Sequence, residues 1–186
     1  MPGGARSMNG SLDRDALIEL LDDLAQRLRR RRVRAHVYVM GGAAMTLAFA
    51  RERSTHDIDA RIDSAHAAVT EAVREIAQER QLPGSWLNEQ ATSFLPRRPD
   101  TAAPTLYDSP SLVVTGASPR YLLAMKLRSA RGHDERDVAT LIRRLDIRTA
   151  EEAVGIHDHL FPDTPVTARA RDLLKRIFPH GCIPAS

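Results

Sequence analysis

Two carboxylates stand one residue apart at Asp57-Ile58-Asp59. On an extended strand, residues i and i+2 point to the same face, about 6.6–6.8 Å apart along the chain. Carboxylates so placed repel each other unless a cation lies between them. Mg2+ suits the position, because it prefers oxygen ligands and commonly takes one or two protein carboxylates together with phosphate oxygens. Phosphoryl transfer uses such an arrangement to neutralise developing charge and to orient the attacking hydroxyl. Upstream, Gly41-Gly42 sits between an apolar stretch and a helical one. Glycine lets backbone amides approach a phosphate, and a helix start offers free N–H groups. A Gly-Gly pair alone is usually a plain turn, and Asp-x-Asp alone is often an exposed strand face; the strand–turn–helix–strand spacing joins them into one candidate centre. His56, beside the two acids, would suit a transition-metal site, but alternation aims it at the opposite face.

The elements that must position this centre follow from periodicity. His36–Met40 reads as a buried strand ended by the glycines, then a short helix runs over 43–50 and a strand over 57–62. Leu17, Leu20, Leu21, Leu24 and Leu28 form one apolar stripe on a helix over 12–32, capped by Ser11 or Asp13. Ser64 is placed to open a helix whose apolar face uses Val69, Val73, Ile76 and Ala77. Between 82 and 110, Pro83, Pro96, Pro99, Pro104 and Pro110 forbid a regular helix, leaving one short element around Trp86-Leu87-Asn88. Trp86 suits a core or lid anchor better than a platform for a base. Leu112–Thr115 reads as a further strand. Helices follow from Ser118-Pro119, Asp134, Thr149 and Thr164-Pro165.

The expected fold is therefore α+β: a mixed sheet with flanking helices and a C-terminal helical bundle. Residues 1–10 read as a flexible tail and 11–186 as a single domain, with an α/β core over 11–117 and a helical portion over 118–186.

Lys plus Arg number 27 against 24 Asp plus Glu, a mild excess that does not suggest a dedicated DNA-coating protein. The basic residues are clustered, however: Arg27, Arg29, Arg30, Arg31, Arg32 and Arg34 stand close together. Such a run can grip phosphates of RNA or DNA, or it can be the solvated C-terminal end of a helix. With one cysteine, Cys182, the sequence excludes an internal disulfide framework and a cysteine-based zinc site. No secretory segment and no run of about 18 apolar residues is present, so a cytoplasmic protein with no membrane partner is expected. The Ala- and Arg-rich composition points to a GC-rich bacterial source.

The stretch GGAAMTLAFARERSTHDID resembles the signature of the nucleotidyltransferase fold, a Gly-Gly or Gly-Ser turn followed by Asp-x-Asp. It is most similar to bacterial AbiEii/MenT-type nucleotidyltransferases and a related uncharacterised family. Their Arg-x-Thr-x-Asp-x-Asp stretch is matched by Arg53, Thr55, Asp57 and Asp59. Their later Lys, Arg and Asp-x-x-Asp-like segment is matched by Lys126, Arg131, Asp134 and Asp137, and the Trp86-Leu87-Asn88 stretch fits the uncharacterised branch. The resemblance covers roughly residues 35–145.

It implies transfer of a nucleotide from an NTP to an acceptor with release of pyrophosphate, with Mg2+ or Mn2+ on Asp57 and Asp59. In the toxin-like relatives the acceptor is the 3′ end of tRNA, which implies an RNA partner and an antitoxin protein. It gives Lys126 a role on the NTP phosphates, and its removal is then expected to harm transfer more than folding. Asp137 becomes the third acid with Asp134 beside it, and Gly41, Gly42, Arg53, Thr55 and Arg131 join the nucleotide site. Two departures stand out. Ala43 removes a hydroxyl where relatives carry Gly-Ser, and Leu112–Thr115 holds no carboxylate, so the choice between Asp134 and Asp137 stays open.

Each of these residues has a plainer reading. Asp134 and Asp137 suit the first turn of a helix, Lys126 a surface position, and Arg53 and Thr55 a loop. Two other functions also fit the sequence: nucleotidylation of a partner protein, and a nucleotidyltransferase-fold module without activity that serves as an antitoxin or binding partner. Retention of both Asp57 and Asp59 speaks against the second.

Overall fold

The computed structural model describes residues 10–49 and 54–179. Most of the expected tail, Arg53 and Cys182 lie outside the described residues. The chain divides into two compact units, one up to Thr92 with Pro104–Gly116, the other Ser93–Ala103 with the chain from Ala117 onward.

The first unit is built on a sheet. Helix α1 (Arg14–Arg30) begins at Asp13, whose carboxylate accepts from the Ala16 N–H at 2.8 Å. Strand β1 (Ala35–Val39) leads into α2 (Gly41–Ala48), which starts two residues before the periodicity suggests. Strand β2 (Ile58–Ile62) is followed by α3 (His66–Arg80) and the two-residue β3 (Leu87–Asn88). Ser64 does not cap α3. Its hydroxyl accepts from the His36 N–H at 2.8 Å and so ties the start of β1 to the end of β2. A short 3-10 turn, Gln90–Phe94, precedes β4 (Thr105–Asp108) and β5 (Leu112–Gly116).

The sheet order is β3-β2-β1-β5-β4. β1 runs antiparallel to β2 and parallel to β5, β2 is parallel to β3, and β4 is antiparallel to β5. The expected mixed α+β sheet is thus observed. Val37, Val39, Ile58, Ala60, Leu112 and Val114 alternate into the core, where the stripes of α1 and α3 are also buried. Trp86 is a core anchor: it is 1% exposed, and its indole N–H donates to the Val73 carbonyl of α3 at 3.0 Å.

The arginine run divides in two. Arg27 is buried against Asp23, Glu75 and Glu79, and Arg31 pairs with Glu71 and Glu75, so these two fasten α1 to α3. Arg29, Arg30, Arg32 and Arg34 remain exposed. Leu20 and Leu24, seven and three positions before Arg27, lie on the same side of α1 and turn it inward, which is why Arg27 is buried at the seam.

The second unit is helical. Its centre is α4 (Pro119–Ser129), whose residues Tyr121 to Leu127 are all buried because α5 (Glu135–Arg144), α6 (Ala150–Leu160) and α7 (Ala168–Ile177) surround it. Pro119 pre-sets the first turn of α4, and Asp100 accepts from the Ser118 N–H at 2.7 Å. Thr149 caps α6 as expected, whereas α7 is capped by Thr167 rather than opened at Thr164. The segment 93–103 is held by Tyr121, whose hydroxyl donates to the carbonyls of Arg98 and Pro99, and by the Arg128 guanidinium over the Phe94 and Phe161 rings. Among the described residues, no helix is long and apolar enough to cross a membrane.

Candidate active site

In the first unit the turn between β1 and α2 meets the start of β2. Gly41 has φ +63, a left-handed value that glycine adopts without penalty, and a Cβ there would lie 3.1 Å from the Asp59 Oδ2. A Cβ on Gly42 would lie 2.9 Å from the Thr55 Oγ1. The two glycines are therefore the places where backbone passes close beside the acid-bearing segment, and a larger residue would push against it. Met40, at the N-cap of α2, has no oxygen with which to cap, and the first N–H groups of a helix have no partner within it. The turn thus presents amide donors beside a carboxylate.

The acids are held by backbone. Thr55 exchanges two hydrogen bonds with Leu12, N–H to O at 2.6 and 2.8 Å, which pins the segment that follows residue 53 beside the residues leading into α1. The Thr55 hydroxyl then donates to the Asp57 carbonyl at 3.1 Å. Ile58 N–H donates to the Trp86 carbonyl at 2.7 Å, and the Asp59 carbonyl accepts from Met40 N–H at 2.9 Å. Ile58 and Ala60 are fully buried while Asp57 and Asp59 are half-buried, so the expected alternation is present. Asp57 sits one residue before β2 rather than within it, since the pairing of β2 with β3 starts at Ile58 opposite Leu87. His56 is exposed.

A side chain outside the expected set completes this centre. The Asn88 amide donates to the Asp57 Oδ2 at 3.1 Å and to the Ser85 carbonyl at 3.1 Å, while its oxygen accepts from the Gln90 N–H. Asn88 lies opposite Asp59 in the register. The signal is present in the sequence as the last residue of Trp86-Leu87-Asn88, but nothing in the spacing says that this strand pairs with β2.

The oxygen ligands that this segment could offer a cation are the carboxylates of Asp57 and Asp59, hard donors of the kind Mg2+ or Mn2+ takes, while the Asn88 amide nitrogen and the backbone N–H groups can only donate hydrogen bonds. Among the described residues, no group of three or more His, Cys, Asp or Glu is placed to hold a metal. Asp57 and Asp59 would supply at most two protein ligands to a cation there, and the rest of a Mg2+ shell would have to come from substrate oxygens and water.

The remaining expected residues gather in the second unit. Lys126 is buried on α4, with its ammonium 2.7 Å from the Asp134 Oδ1 and 2.7 Å from the Asp137 Oδ2. The other oxygen of Asp134 accepts from the Arg131 N–H at 3.0 Å and from the Ser129 hydroxyl at 3.3 Å. Asp134 stands at the N-cap of α5, yet its carboxylate serves the preceding loop. Lys126 is thus no surface lysine, and both acids are only 3% exposed. The Arg131 guanidinium is exposed.

Residues 15–177 match a sequence family described as a nucleotidyltransferase of unknown function (DUF6036). The chain belongs to this family. The match spans both units, so the helical unit is as much a part of the nucleotidyltransferase family as the sheet that carries Asp57 and Asp59. It shows the nucleotidyltransferase family as such, and not the AbiEii/MenT type in particular. No curated protein and no solved structure matches the chain.

Proposed function

We propose that the chain transfers a nucleoside monophosphate from an NTP to an RNA acceptor, the 3′ end of a tRNA, using Mg2+ or Mn2+ held by Asp57 and Asp59. The observation that carries this reading is the approach of the Gly41-Gly42 turn to the acid pair, with the Gly41 Cβ position 3.1 Å from the Asp59 Oδ2. Phosphate-accepting amides and metal-binding carboxylates then share one place. The bound cation would neutralise charge on the phosphate oxygens and orient the attacking hydroxyl.

The acceptor oxygen bonds to the α-phosphorus, the bond from that phosphorus to the pyrophosphate oxygen breaks, and the hydroxyl proton passes to a carboxylate oxygen of the pair. Asn88 positions the Asp57 carboxylate, and Thr55 fixes the turn on which it rides. The amides of Gly41 and Gly42 receive phosphate oxygens, and Arg53 adds positive charge to the same segment. Lys126 would have to exchange a carboxylate for a phosphate to touch the NTP. Its first role here is to hold Asp134 and Asp137, and through them the α4–α5 junction.

Exposed Arg29, Arg30, Arg32 and Arg34 favour a polyanionic acceptor. Blocking a tRNA 3′ end would stop its charging, a toxin-like effect in the cytoplasm that an antitoxin protein would have to restrain. The test is incubation with each α-labelled NTP, Mg2+ and total tRNA, followed by a denaturing gel. Label is expected in the tRNA band with the wild type and absent with Asp57→Asn or Asp59→Asn. Label in a protein band instead would replace RNA with a protein acceptor, and no label anywhere would mean a module without activity.

A further inference from the structure

We propose that a pocket in the helical unit, between the end of α4 and α7, binds backbone phosphates of the nucleic-acid acceptor through Arg131, Arg169 and Arg176. The inference rests on the RNA-acceptor reading and adds a second place of contact to it. The pocket measures about 380 Å³ and is lined by Ser129, Ala130, Arg131 and Gly132 on one side and by Arg169 and Arg176 of α7 on the other. Ala130 ends α4 in the left-handed region (φ 41), so the chain turns sharply there, and Ser129, Ala130 and Gly132 leave Arg131 as the one large side chain on that wall. Arg169 and Arg176 are seven positions apart, two helical turns on one face of α7, about 10.5 Å along its axis.

The charges at this pocket are unbalanced for a reason. Asp134 is the nearest acid in sequence to Arg131, and it is turned inward by Lys126, Ser129 and the Arg131 backbone. Glu135 is taken by Arg176 at 2.8 Å. Asp172 lies on the pocket wall with Lys175 at 3.5 Å. Among the described residues, the guanidiniums of Arg131 and Arg169 have no carboxylate partner, and both are exposed. A guanidinium fork matches two phosphate oxygens, so two free forks and one half-engaged fork form a grip for singly charged phosphodiesters. No aromatic ring lines the pocket to stack a base, which favours a sequence-independent backbone contact over a nucleotide site.

The test is binding of labelled tRNA to the full chain, followed by fluorescence anisotropy at several salt concentrations. Arg169→Gln and the Arg131→Gln/Arg169→Gln double variant are compared with Arg148→Gln, an exposed control; Arg176 is left intact because its pair with Glu135 joins α5 to α7. Removing one arginine–phosphate pair is expected to lower the slope of log K against log salt by about 0.7–0.9, and the double variant should bind roughly tenfold more weakly at low salt. Arg148→Gln should match the wild type. Wild-type slope and affinity in the double variant, with tRNA still bound and labelled by the wild type, would overturn the pocket assignment alone. Loss of NTP binding with an unchanged RNA slope would also overturn it, by making the pocket a triphosphate site. A wild type that neither binds nor labels tRNA would remove the acceptor reading and this inference with it.

Discussion

At the scale of single residues, the proposed chemistry turns on what holds Asp57 and Asp59. Asn88 touches the Asp57 carboxylate but donates only a neutral amide, so it orients the acid without changing its charge. Partners of this kind typically contribute about 10–100-fold to metal affinity or activity. Asn88→Ala should therefore lower the transfer rate by about that factor while Asn88→Asp, which keeps the shape but adds repulsion, should lose more. Wild-type rates and cation dependence in Asn88→Ala would make the contact incidental. Gly41 is a separate case. Any L residue at φ +63 costs about 1–2 kcal/mol, and its Cβ would press on the Asp59 carboxylate. Gly41→Ala should lose about that stability in a urea melt and most of its activity; a neutral effect on both would mean that the turn is not under the constraint described.

At the scale of elements, buried charge decides which pieces stay together. Lys126 lies between two acids on the α4–α5 junction, each carboxyl side chain 4% exposed. Removing the cation from such a cluster leaves uncompensated buried charge, which commonly costs about 3–5 kcal/mol. Lys126→Met should unfold at clearly lower urea than Lys175→Met, its exposed control, and Asp134→Asn added to Lys126→Met should recover part of the loss. Equal urea midpoints for Lys126→Met and Lys175→Met would return Lys126 to the role of a phosphate contact. A large folding cost stands beside the expectation that its loss harms transfer more than folding. The stripe of Leu122, Leu123 and Leu127 is readable in the residue order, whereas the enclosure of α4 by three helices is not.

The α1–α3 seam carries a pH signature. Hydrogen bonds from Arg31 and then Arg27 hold the Glu75 carboxyl below its ordinary value of 4.5. A carboxyl with a depressed folded value contributes stability above its unfolded value and loses it as pH falls through the folded one. The melting difference between wild type and Glu75→Gln should be full at neutral pH and should close below 4.5. A difference that persists unchanged into acid would show that these ion pairs do not stabilise the seam.

At the scale of the whole molecule, local patterns are legible in the sequence and pairings are not. The stripe of α1, the Gly-Gly turn, the buried strand before it and the alternation around Ile58 are visible in the order of residues, because each depends on neighbours within a few positions. β4 has no such signature. Its residues Thr105–Asp108 sit among prolines, and they become a strand only because β5 offers an edge. Asn88 is hidden as a site residue for the same reason, as is the division of the arginine run by the acids of α3. Two positions that touch across dozens of residues leave no periodic trace in a single sequence.

The central claim is that Asp57 and Asp59 together hold a divalent cation for nucleotidyl transfer. Titration of the full chain with Mn2+, monitored by electron paramagnetic resonance in the presence of a non-hydrolysable NTP analogue, addresses it most directly. The predicted result is saturable Mn2+ binding by the wild type, weaker binding by Asn88→Ala, and loss of the site in Asp57→Asn and in Asp59→Asn, with all the variants still folded by circular dichroism. Equal Mn2+ affinity in the wild type and in both aspartate variants would contradict it.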